Sequence, residues 1–93
     1  MHPDETYTLA LTALSYIFEN EHLGSRFLNM SGFDEMTLKA RASDSEDTAF
    51  QLGILDYFMG FEPDLVALCE HKNIRPEHVV KAWIALGGDP QML

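Results

Sequence analysis

Tyr7, Ala10, Leu11, Leu14, Ile17 and Phe18 recur three and four residues apart, the spacing that gathers side chains on one face of an α-helix. Pro3 suits a first helical turn, so the pattern predicts a helix over residues 3–19. Asn20 is placed to cap a second helix carrying Leu23, Phe27 and Met30, which Gly32 stops in the left-handed region. Asp34 caps a short third helix holding Met36, Leu38 and Ala40. Ser43 and Glu46 have the spacing of a capping box, which predicts a fourth helix over about residues 44–59. Pro63 opens a fifth, with Leu65, Leu68 and Cys69 on one side and Asn73 as its stop. Pro76 opens the last, with Val79, Trp83 and Leu86 inward and Gly87-Gly88 at its end. Ile74 precedes the cap Arg75 and is placed to pack on Val79 as a hydrophobic staple.

No segment alternates with period two, so the fold class is all-α. The fourth helix is apolar almost all round: Ala49, Phe50, Leu52, Ile54, Leu55, Tyr57, Phe58 and Met59. Such a helix is normally surrounded by others. The expectation is one domain over residues 1–93, a compact bundle of five to six short helices around this central helix. Its least apolar strip is Gly53, Asp56 and Gly60, where glycines would let another backbone approach closely. Phe58 should face the core, with Phe61 closing the corner after a left-handed Gly60. Tyr57 and Met59 point elsewhere on the helix, and one of them is expected to help form an exposed apolar patch. Asp56, mid-helix among apolar neighbours, reads as a buried polar tie, with Arg41, Lys39 or the Trp83 indole as candidate partners.

Two corners share one pattern. "FLNMSGFDEMTL" (27–38) and "LCEHKNIRPEHV" (68–79) each run helix end, left-handed stop, apolar residue, cap, next helix. Ordinary capping rules account for the likeness without a duplication.

Charge narrows the partners. The chain has a net charge of −9, and its six Lys and Arg residues are scattered. Proteins that bind duplexes or anionic membranes cluster cations on one face, so neither partner is expected. Much of the acidity sits at inferred helix starts, where carboxylates complement exposed N–H groups. No apolar run approaches the roughly 18 residues of a membrane span, and the acidic N-terminus is unlike a secretion signal. The single cysteine, Cys69, fits a reducing, cytoplasmic setting.

Candidate chemistry is sparse. Glu-His occurs at 21–22, 70–71 and 77–78, but adjacent helical residues diverge by about 100° and do not readily chelate one ion. Cys69 lies among Leu65, Val66 and Leu68, the setting of a small buried hydrophobe rather than a nucleophile. Gly87-Gly88 follows a helix instead of opening one, unlike a phosphate-binding loop. No catalytic, cofactor or metal site is assigned.

Met59-Gly60-Phe61, followed by a helix and then an aliphatic-aromatic last helix, resembles the ubiquitin-associated domain over residues 46–86. That resemblance implies a Met-Gly-Phe loop exposed to grip a hydrophobic patch on ubiquitin. A longer pattern, over about residues 7–87, includes "FLNMSGFDEMTLKARA" (27–42), "LGILDYFMGFEPDLVALCE" (52–70) and "NIRPEHVVKAWIALGG" (73–88). These segments are similar to domain-of-unknown-function family 3572. This resemblance implies an all-helical bacterial cytosolic protein and carries no activity, cofactor or catalytic residue. The functional expectation is a non-catalytic protein–protein interaction or regulatory module, with Tyr57, Met59, Gly60, Phe61 and Glu62 as partner contacts. Self-association into a homodimer would also cover the apolar area that six short helices leave. A ubiquitin-associated-like domain and a helix–turn–helix nucleic-acid binder are the alternatives.

Overall fold

The computed structural model describes residues 2–92. Six α-helices follow one another: α1 Pro3–Glu19, α2 Glu21–Ser31, α3 Glu35–Ala42, α4 Thr48–Met59, α5 Glu62–Lys72 and α6 Pro76–Ala85. A 3-10 turn, Pro90–Met92, ends the described chain, and no strand occurs among the described residues.

Local chemistry sets most boundaries. Asn20 ends α1 by donating its N–H to the Ile17 carbonyl, and its side chain accepts the N–H groups of His22 and Leu23 to begin α2. Gly32 stops α2 at φ 75° and Asn73 stops α5 at φ 55°, the left-handed geometry these residue types tolerate best. Each is followed by a half-buried apolar side chain, Phe33 or Ile74, and then by the next cap, Asp34 or Arg75. The shared corner pattern is thus realised at both places.

α1 and α4 form the inner pair; α5 and α6 pack on both, and α2 packs on α1. One cluster of buried side chains joins them, including Ile17, Phe27, Ile54, Leu55, Phe58, Leu68, Val79 and Trp83. Ala10 and Ala13 are fully buried, and their small size permits close helix approach on α1. Among the described residues no buried side-chain polar atom lacks a partner; buried Gln51 donates to the Ser45 carbonyl at 3.0 Å.

Several expectations need correction. α4 starts at Thr48, not residue 44. The Ser43 hydroxyl donates to the Ala40 carbonyl, closing α3 rather than opening α4. Asp47 is the N-cap, accepting the Phe50 N–H at 3.1 Å. Arg41 selects it by donating from Nε (2.8 Å) and Nη2 (3.0 Å), while its guanidinium lies over the rings of Phe33 and Phe50. Arg41 is therefore engaged with Asp47 and does not meet Asp56. Tyr7 is half-buried and anchors α3 to α1 by donating to the Ala42 carbonyl. Phe18, Met30 and Met36 are exposed, Met30 at 61% and Met36 at 83%. α4 is not ringed by neighbours either: Ala49, Gly53, Asp56 and Gly60 form an exposed stripe along it. No backbone packs on Gly53, around whose Cβ position the space is open.

The Arg41 donors, with the Phe50 N–H second, hold the Asp47 carboxyl below the usual carboxylate range. A carboxyl depressed in the folded state stabilises above its unfolded pKa, and that stability fades as pH falls through its folded one. Asp47→Asn should therefore be less stable than wild type near neutral pH. Urea titrations across pH should show the gap shrinking below the ordinary Asp value of about 4.

Candidate functional site

The corner between α4 and α5 is internal rather than grasping. Gly60 is right-handed (φ −86°), not left-handed, because its N–H reaches the Asp56 carbonyl in an ordinary helical turn. Phe58 is fully buried, as the spacing predicts. Tyr57 is buried too, against the expectation of a surface position. Its ring stands edge-on to Phe27 and Phe58 and stacks on Phe61 at 5.8 Å. Its hydroxyl donates to Asp64 at 3.1 Å, and burial followed by the Asp64 carboxylate raises its pKa. Arg26 from α2 donates to the same Asp64 oxygen at 3.2 Å and lies over the Phe61 ring. Tyr57 and Phe61 thereby lock α2 onto the corner. Met59 is half-buried against the core, and only Gly60 and Glu62 of the five expected contacts are exposed.

Asp56 is exposed, not buried, and its tie is to Trp83: one carboxylate oxygen accepts the indole N–H. Among the described residues no Lys or Arg pairs with it. Past α6 the chain folds over the same indole. The Gly88 N–H donates to the Trp83 carbonyl, and a Cβ at Gly88 would lie 2.3 Å from the ring. The backbone there needs glycine because the indole fills the side-chain space.

Two shallow grooves flank the exposed stripe of α4. One, beside α2, is lined by Phe27, Met30, Ser31, Gly53, Asp56 and Tyr57. The other, beside the end of α6, is lined by Leu52, Asp56, Met59, Gly60, Trp83, Gly87, Gly88 and Asp89. Asp56 belongs to both, so the grooves make one continuous face. The sequence contains the stripe as Gly53, Asp56 and Gly60, but Met30 and Gly88 reach it from elements far along the chain.

The remaining candidates stand apart from this face. His22 is exposed beside Arg26, His78 is exposed on α6, and the His71 ring packs 5.3 Å from Tyr16. Among the described residues no three His, Cys, Asp or Glu side chains gather as metal ligands would. Cys69 is buried, and burial, with Glu77 second, pushes its thiol up, favouring the protonated form. No described helix is long and apolar enough to cross a membrane.

The family model of DUF3572, "Protein of unknown function", matches residues 3–89, from the first turn of α1 to the segment over Trp83. The chain belongs to the DUF3572 family. No curated protein matches the chain. No solved structure matches it. The ubiquitin-associated resemblance gains no support from these comparisons. For this DUF3572 chain the match covers all six helices, the N-terminal ones included.

Gly88→Ala should cost about 1–3 kcal/mol, the usual range for overpacking, because the indole cannot shift without leaving Asp56. Urea unfolding followed by Trp83 fluorescence checks both the loss of stability and the altered indole environment.

Proposed function

We propose that this DUF3572 protein is a non-catalytic interaction module that docks a protein partner on the open face of α4. The observation carrying this reading is the face itself. The most apolar helix of the chain is covered on its other sides, yet leaves Ala49, Gly53, Asp56 and Gly60 uncovered, with Met30 exposed beside them. An uncovered stripe of small residues admits close packing by a partner, and the exposed Met30 beside it can adapt its packing to what docks there. Of the contacts expected from sequence, Met59 and Gly60 stay in the proposed set, the buried Tyr57 only borders one groove, Phe61 and Glu62 line neither, and Met30 and Gly53 join.

Charge supports a protein partner over nucleic acid. Arg26, Arg41 and Lys72 are held by Asp64, Asp47 and Glu19, which takes half of an already small set of cations away from any phosphate. A reduced, buried Cys69 suits action in the cytoplasm.

Gly53→Leu separates docking from folding. A side chain there meets open space, and replacing a mid-helix glycine should raise stability by about 0.5–1 kcal/mol. The variant should unfold at higher urea than wild type while capturing at least about tenfold less of any specific partner, a loss of about 1.4 kcal/mol in binding. Equal capture by wild type, Gly53→Leu and Met30→Asp would move the interface elsewhere.

A further inference from the structure

We infer that the occupant of the α4 face is an amphipathic helix of another protein, with a Lys or Arg on its apolar side that reaches Asp56. The inference rests on the docking reading above and adds the chemistry of the partner.

The charged groups in the grooves are acids alone, Asp56 where they meet and Asp89 at one edge; Ser31 and Tyr57 add neutral hydroxyls beside α2. Among the described residues no Lys or Arg lines either groove. A wholly apolar partner would strip water from the Asp56 carboxylate and leave it unpaired, which costs several kcal/mol for a fully desolvated ion. One Asp56 oxygen already accepts the Trp83 N–H, which fixes the carboxylate without neutralising it. The missing counter-charge must then arrive with the partner.

A second copy docked about a two-fold axis does not supply it. Two-fold contact would bring the same face, with its own Asp56 and Asp89, against the first. Each copy also carries a net charge of −9. The shape favours a helix. The 12 residues of α4 span about 18 Å, three helical turns, and the glycines along the stripe let a partner backbone come close. An amphipathic helix laid in an apolar groove is a standard recognition mode, read through side chains spaced three and four apart.

The test is a titration of the full chain with stapled helical peptides at physiological ionic strength, followed by amide chemical shifts. A Leu/Lys amphipathic helix should shift Gly53, Asp56 and Gly60 and bind about tenfold more tightly than its Leu/Gln counterpart. Asp56→Asn, whose amide oxygen can still accept the indole N–H, should erase that advantage. Equal binding of the Leu/Gln helix at these residues would overturn the cation requirement while leaving the docking face standing. Equal binding of a Leu/Lys helix with scrambled order, with shifts spread over the surface, would reduce the effect to net charge and overturn the inference. Shifts at Gly53–Gly60 that track protein concentration without peptide would overturn it in favour of self-association. Absence of shifts on α4 with every peptide would overturn it as well, and partner capture by Gly53→Leu would then judge the docking reading independently.

Discussion

Burial of α4 is the constraint on which the other elements depend. A helix carrying Phe50, Ile54, Leu55, Tyr57 and Phe58 on its inner sides gains little from water and much from cover. α1 provides the longest covering surface, and its Ala10 and Ala13 allow close approach. α5 and α6 cover further sides through Leu68, Val79 and Trp83. The short connections follow from this demand, because helices of 10 to 12 residues must turn back promptly to stay on one core. Gly32 and Asn73 supply those turns in left-handed geometry.

Polar contacts then fix what apolar burial leaves undirected. Arg41 chooses which residue caps α4, and Arg26 ties α2 to the α4–α5 corner through Asp64 and Phe61. Lys72 joins α5 to the end of α1 at Glu19. Each uses a cation that a strongly acidic chain has in short supply. Fold specificity and the acid-rich outer surface are two sides of one charge distribution.

Features governed by neighbouring residues were legible in the sequence. The caps Asn20 and Asp34, the stops Gly32 and Asn73, and the inward Phe58 depend on spacing and backbone chemistry within a few positions. The start of α4 was not legible, because Ser43 and Asp47 are both competent caps and the choice lies in the reach of Arg41. Nor was the burial of Tyr57, which depends on Phe27 from another helix and on Phe61 across the corner. Apolar type misled at Met30 and Met36, since periodicity places a side chain on a face without saying what covers that face. For the candidate face, Gly53, Asp56 and Gly60 stood out as a strip, and the Trp83 indole was among the partners weighed for Asp56. The two grooves exist only after α2 and the segment beyond α6 are packed beside α4.

The proposed docking depends on an asymmetry in one helix, α4, covered on its inner sides and open on one. The most direct measurement is paramagnetic relaxation of the dilute, partner-free protein by a soluble gadolinium chelate, read at the α-protons of α4. Strong enhancement at Ala49, Gly53, Asp56 and Gly60, with little at Phe50, Ile54, Leu55 and Phe58, is the predicted result. Uniform protection along the whole helix would contradict it, for no open face would then remain to meet a partner.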